Sequence, residues 1–301
     1  MTHMIEENIA YLGRIVSEGG PLPHQYEPVA DAFSRLHAAC YREVDGLSEL
    51  DHPIRVLELF LDAHGDIFRS VATMQGFAFV KPRGYAGDFE MIERIYDRVV
   101  SPDERMARWD RFFHEGAAPQ AVRNRAQYIH DILEDGGYRS LLSLGCGSGR
   151  DLSKTNDGGL VERMMLVDAD GDAIAKARNC LDNPSIEYTF LQKNVFRLKL
   201  DETFDIVWSA GLFDYLNTRR AVFLLERVRG SMADGARIVI GNFSRDHNPS
   251  RPYMELVGEW RLIHRSEQEM ADLMIAAGFD ARNVSVESDG TGVNLFANAV
   301  K

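Results

Sequence analysis

Apolar positions over the first 115 residues recur at intervals of three and four, the period of helices with one buried face. The clearest run follows Pro53, where Leu57, Phe60, Leu61, His64, Phe68 and Val71 predict a single amphipathic helix. Gly19-Gly20-Pro21-Leu22-Pro23 punctuates the pattern early, and the stretch from Lys81 to Asp88 punctuates it again. Asp88 is placed to cap a further helix, with Glu90 in its first turn. Another helical stretch is expected over about 118–133. After Gly136-Gly137 short β-branched or Leu-rich runs alternate with amphipathic ones. Strands are expected at 140–144, 164–167, 186–190, 204–208, 236–240, around 284 and at 293–299. Helices between the first five force parallel pairing and right-handed crossovers, which predicts an α/β, Rossmann-like, doubly wound and mostly parallel sheet of seven strands. No internal repeat or low-complexity tract interrupts this order.

Composition narrows the partners. With 301 residues and 45% hydrophobic content, the chain can bury a full core. A formal net charge of −12 argues against nucleic acid, whose binding depends on clustered Lys and Arg. No apolar stretch reaches a membrane-spanning length, and the start lacks the basic-then-apolar layout of a secretory signal, so a cytoplasmic location and no membrane partner are expected. Cys40, Cys146 and Cys180 are odd in number and irregularly spaced, which predicts reduced thiols. His37 and Cys40 form an isolated helical pair, so no metal site is expected. A monomer or homodimer acting on a small-molecule substrate is the expected assembly.

The strongest local signal runs from Leu141 through Gly145-Cys146-Gly147-Ser148-Gly149 to Asp151, an apolar strand passing into glycines and then a helix. Glycines there let backbone approach a ligand, and the helix start offers oriented N–H donors. Asp168 follows Gly149 by nineteen residues at the end of the next apolar strand, beside Ala169. An acid so placed accepts both ribose hydroxyls of a nucleoside. The alternative is a cap for the helix beginning near Asp172, a role open equally to Asp170. The fourth strand ends in small residues, Ser209, Ala210 and Gly211, which leave room for a ligand in the crevice of an open sheet. Phe213, Asp214 and Tyr215 follow, with Asp214 read either as a reactive-site acid or as a helix cap. The connection 241–264 is long for a loop and carries Asn242, Tyr253, Trp260 and His264, suited to a substrate pocket wall; Tyr253 and Trp260 also read as packing residues.

These features resemble the class I S-adenosylmethionine-dependent methyltransferases, whose first motif is an acidic position followed by a Gly-x-Gly-x-Gly turn, with a further acid after the second strand. The resemblance covers about residues 120–301, with one departure: the usually acidic position two before Gly145 is Ser143. It implies that Gly145, Cys146, Gly147, Asp168 and Ala169 bind the cofactor and that Asn194 and Val195 flank the adenine. The segments Lys81–Met91, Ala121-Val-Arg-Asn-Arg, Ser209–Leu216 and Gly241-Asn-Phe together look like the bacterial 3-hydroxy fatty acid methyl ester (extracellular signal) biosynthesis methyltransferases. That wider resemblance implies an all-helical lid at 1–117 and a cofactor domain at 118–301. It makes Tyr85 and Arg123 candidates for holding the methionine carboxylate, since a guanidinium engages a carboxylate in a bidentate way; an exposed helix charge is the other reading of Arg123.

Methyl transfer is an in-line displacement at an already activated carbon, so alignment and exclusion of water are the main tasks. A carboxylate acceptor needs no general base, whereas an amine or hydroxyl would call on Asp214, Tyr215 or His264. O-methylation of a fatty or other carboxylic acid is the leading expectation. A second is intramolecular closure of S-adenosylmethionine to azetidine-2-carboxylate with release of methylthioadenosine, for which aromatic groups such as Tyr85, Phe213 and Tyr215 would stabilise the sulfonium. A non-catalytic cofactor sensor is a third. An NAD-dependent oxidoreductase is disfavoured because Arg150 stands where a Gly-x-Gly-x-x-Gly turn would carry its last glycine.

Overall fold

The computed structural model describes residues 2–50 and 55–301; Pro53 lies outside them. The chain divides into two compact units, Met1–Gln120 with Asn248–Leu262, and Ala121–His247 with Ile263–Lys301. The expected division at 117/118 thus falls three residues later, and the segment 248–262 groups with the first unit.

The first unit is built on helices, among them Thr2–Ser17, Tyr26–Cys40, Arg55–Ala63, Met74–Val80, Phe89–Tyr96 and Glu104–Glu115. The run after Pro53 breaks at His64 into Arg55–Ala63 and a single turn Gly65–Phe68, leaving Val71 exposed. Asp88 does cap its helix, accepting from the Met91 N–H at 2.9 Å. Helical periodicity hid one hairpin: β1 (Tyr41–Val44) pairs antiparallel with β2 (Leu47–Leu50). Asp45 and Gly46 turn it with φ of 50° and 79°, the left-handed pair that a two-residue hairpin loop requires. The expected long loop 241–264 is instead largely structured, with a helix at Arg251–Val257 carrying Pro252 in its first turn.

Aromatic packing centres this unit. Phe33, Phe68 and Trp109 are fully buried, with Phe68–Trp109 at 5.0 Å and Phe33–Tyr253 at 4.9 Å, both edge-to-face. Buried Asp110 accepts the backbone N–H groups of Met74 (2.7 Å) and Ser101 (2.8 Å), and burial pushes its carboxyl up to about 6. The 251–257 helix is fastened by charge: Arg251 Nε donates to Glu255 (2.9 Å), and its terminal nitrogens reach Glu43 (2.6 Å) and Ser48 (2.9 Å). His37 Nε2 lies 2.6 Å from the other Glu255 oxygen, so His37 is a hydrogen-bond partner of that acid.

The second unit is a seven-stranded sheet of β3 (Ser140–Leu144), β4 (Arg163–Asp168), β5 (Glu187–Gln192), β6 (Phe204–Ser209), β7 (Met232–Phe243), β8 (Val284–Ser288) and β9 (Asn294–Val300) in the order 5-4-3-6-7-9-8. β3 to β7 pair parallel, and β9 runs antiparallel to both neighbours. Strand alternation sends Leu142, Leu144, Val207, Ile238 and Ile240 to one core, with Leu224 and Leu273 from helices Thr218–Arg229 and Glu267–Ala276. Leu141, Ile206, Trp208 and Val239 enter the opposite core, with Ile129 and Leu133 of helix Ala117–Gly136. This order carries its topological switch at β3, between β4 and β6, where an open sheet offers a crevice beyond its strand ends.

Candidate functional site

At that switch β3 runs into three glycines with left-handed backbone, Gly145, Gly147 and Gly149 at φ of 62°, 54° and 69°. A side chain would be strained at each, and a Cβ at Gly149 would come within 2.7 Å of Leu181. The Gly145 and Cys146 N–H groups both donate to Val167 O, tying the turn to β4. Asp168 ends β4 half-buried; its Oδ2 accepts from the Gly147 N–H at 2.8 Å and its Oδ1 from the Asp170 N–H at 2.9 Å. Each carboxylate oxygen keeps a second acceptor direction. Asp170, accepting from Asp172 and Ala173, caps the next helix, which frees Asp168 from that reading. Cys146 is buried, and desolvation first and then Asp168 and Asp151 hold its thiol well above the usual range.

Beyond β5, the Lys193 N–H donates to Asp168 O at 2.7 Å, drawing the 193–197 segment toward the same acid. Asn194 is exposed and caps the turn Val195–Arg197, whose first residue is buried. Ala169 is also exposed. On the other side of β3, Ser209 Oγ donates to Leu144 O at 2.8 Å, fixing the end of β6 against the turn. Leu212 lies 3.2 Å from where a Gly145 Cβ would stand, so the β6 loop borders the glycine turn at Leu212.

Asp214 and Tyr215 part company. Tyr215 is exposed, whereas Asp214 is 2% exposed and accepts the Phe243 N–H at 2.7 Å, joining the β6 loop to the end of β7. Burial pushes its carboxyl up to about 6 against the pull of Arg125, whose guanidinium lies 3.9 Å away. Asn242 and His264 are fully buried; Asn242 Nδ2 donates to Ile263 O at 2.8 Å and its oxygen accepts from Arg265 at 2.5 Å. Phe213 is fully buried as well. Tyr85 is exposed and Tyr253 buried, both in the first unit; Arg123 lies half-buried in the second.

Three residues that sequence reading passed over hold these strand ends. Arg125 is 7% exposed, donates to Asn294 Oδ1 at 2.8 Å, and stands 3.0 Å from a Gly211 Cβ position. Asp151 accepts the Trp208 indole N–H at 2.6 Å, with burial raising its carboxyl. Arg265 donates to Phe213 O at 2.9 Å and also to Leu216 O. Arg125 and Asp151 had a signal, standing two residues from Arg123 and at the end of the glycine motif, whereas Arg265 had none. Among the described residues, one group has metal-ligand spacing, His130, Asp131 and Glu134 on one helix face, with both acids exposed. Among the same residues no helix is long and apolar enough to cross a membrane.

Residues 141–235, which hold the glycine turn, Asp168 and the β6 loop, match a family model described as a methyltransferase domain. No curated protein matches the chain. A possible exported protein from Bordetella parapertussis shares the fold at 17% identity over 95% of this chain and 98% of that one, with a TM-score of 0.63. The N-methyltransferase NodS from Bradyrhizobium japonicum WM9, bound to S-adenosyl-L-homocysteine, aligns at 13% identity over 71% and 97% with a TM-score of 0.47. A DhpI–SAH complex aligns at 20% identity over 69% and 93%, with a TM-score of 0.46. A methyltransferase-domain model thus matches residues 141–235, and the solved structures share the fold.

Proposed function

We propose that this protein is an S-adenosylmethionine-dependent methyltransferase that O-methylates a small carboxylic acid, fatty or other, by in-line displacement. The observation that carries the reading is the burial of two of the three general-base candidates, Asp214 and His264, which leaves only Tyr215 exposed. Asp214 is committed to the Phe243 N–H deep in the fold, and His264 is fully buried. A hydroxyl or amine acceptor would call on a base within hydrogen-bond reach of its proton, whereas a carboxylate arrives already ionised. The glycine turn suits the cofactor: its left-handed backbone turns sharply at the head of β3, and Asp168 beside it retains acceptor capacity for both ribose hydroxyls. In this reading Gly145, Cys146, Gly147 and Ala169 surround the nucleoside, Asn194 and Val195 flank its adenine, and Arg123 meets the methionine carboxylate. Ser209, Ala210 and Gly211 leave room at the reacting end, and Tyr215 is the exposed group beside it. When bound, the sulfonium supplies the activated carbon; the chain's own groups align the partners and keep water out.

Mass spectrometry of the purified protein with S-adenosylmethionine, alone and then with candidate acids, tests this. S-adenosylhomocysteine and a methyl ester formed only with an acid are expected. Methylthioadenosine formed without any acceptor would replace transfer with cyclisation, and binding without turnover would leave a sensor. Asp168→Ala is expected to weaken cofactor binding by at least about tenfold, the loss of two charge-assisted hydrogen bonds, with the fold unchanged by circular dichroism; unchanged affinity in calorimetry would remove the ribose assignment.

A further inference from the structure

We infer that the first unit holds a binding site for a hydrophobic organic cation, an ammonium group on an apolar body, in a cavity walled by Tyr26, Phe112, Phe113 and Tyr253 with Glu27 and Glu115 among its lining. This site goes beyond the methyl-transfer reading and does not rest on it. The cavity measures about 220 Å³, room for one small organic group, and is lined mainly by aromatic and aliphatic side chains. Phe112 stands edge-to-face with Tyr26 at 5.4 Å and with Tyr253 at 5.1 Å, so the rings meet at steep angles and do not stack flat upon one another. A cation near the face of such a ring is attracted by its quadrupole.

Charge selects the ligand. Two carboxylates line the cavity, and no lysine or arginine does. Glu27 is exposed and has no ion-pair partner among the described residues; Glu115 has one, Arg98 at 3.5 Å on the surface. An anionic ligand would meet two like charges with no lining cation to offset them, while an ammonium would be drawn by both acids and rings. Tyr253 is 8% exposed, yet its hydroxyl has no hydrogen-bond partner. That oxygen is out of reach of the cavity, on the side of Asp110, so the ring of Tyr253 and not its hydroxyl forms the wall.

The test is calorimetry on the full-length protein with benzyltrimethylammonium, 2-phenylethanol and phenylacetate at one ionic strength. The cation is expected to bind about tenfold or more tightly than phenylacetate, with the alcohol between them. Glu27→Gln, an exposed and fold-neutral change, should weaken the cation about threefold or more and leave the alcohol unchanged. Phenylacetate binding as well as the cation, an unaltered cation affinity in Glu27→Gln with an unchanged thermal melt, or no cation binding at all would each overturn the site. Titrating S-adenosylmethionine separately keeps the outcome distinct from that of the methyl-transfer reading.

Discussion

Each unit buries a carboxylate near a guanidinium, and the two acids respond in opposite directions. Glu255 in the first unit is fully buried, which by itself raises its pKa, yet hydrogen bonds from His37, Ser48 and Arg251 bring it below the ordinary glutamate range. Asp214 in the second unit is as deeply buried, with Arg125 at 3.9 Å and one backbone N–H donor, and it is pushed up to about 6. Proximity of opposite charge does not decide the outcome; the number of donors in direct contact does, because each replaces a lost water. The first network fastens the 251–257 helix to β1, β2 and the 26–40 helix. The second leaves an acid strained toward neutrality where the β6 loop meets the end of β7.

Removing the stronger network should have the largest effect. Glu255→Leu strands Arg251 and His37 around an apolar group, and a loss of about 3–5 kcal/mol in denaturant unfolding is expected. A loss under 1 kcal/mol would show that the network contributes little. The sign of its pH dependence follows from the lowered pKa. Its stabilisation is present above the unfolded value of 4.5 and disappears as pH falls through the lower folded value.

Asp214 has the opposite sign. Its folded pKa of about 6 exceeds the unfolded 3.8, so ionisation costs stability at neutral pH, on the order of 3 kcal/mol, and that cost is relieved as pH falls from about 6 toward 3.8. Asp110 behaves alike in the first unit, through burial. Asp214→Asn should therefore flatten, without abolishing, the gain in melting temperature between pH 6 and pH 4, with Asp110 keeping its share. Identical pH profiles for the two proteins would mean that Asp214 titrates in its ordinary range.

The smallest effect sharpens the contrast from the other side. Tyr253→Phe deletes a buried hydroxyl that has no partner while keeping the ring between Phe33 and Phe112. Stability should stay level or rise by about 1 kcal/mol, since nothing is left unpaired. A loss of more than about 1 kcal/mol on thermal melting would reveal an interaction that the hydroxyl makes in solution.

Much of this was legible in order along the chain. Period-two and apolar runs located all seven strands of the large sheet, and Leu144-Gly145-Cys146-Gly147-Ser148-Gly149 with Asp168 marked the turn and the acid that the structure brings to 2.8 Å. These are local signals, since a strand's pleat, a left-handed glycine and a spacing across one β-α-β unit need no distant partner. The Asp45-Gly46 hairpin was equally local, and helical periodicity on both sides obscured it.

What the sequence by itself determined is the α/β order of elements and the glycine-acid pair at the head of β3 and β4. Only the tertiary structure decided that 248–262, with its helix Arg251–Val257, groups with the first unit, that Asp214 and His264 are buried where Tyr215 is exposed, and that Arg125, Asp151 and Arg265 hold the strand ends. The reason is physical. Burial and hydrogen-bond partnership are set by residues 29 to 218 positions away, as between Asp214 and Phe243 or His37 and Glu255, and no periodicity along one segment encodes what another will place beside it.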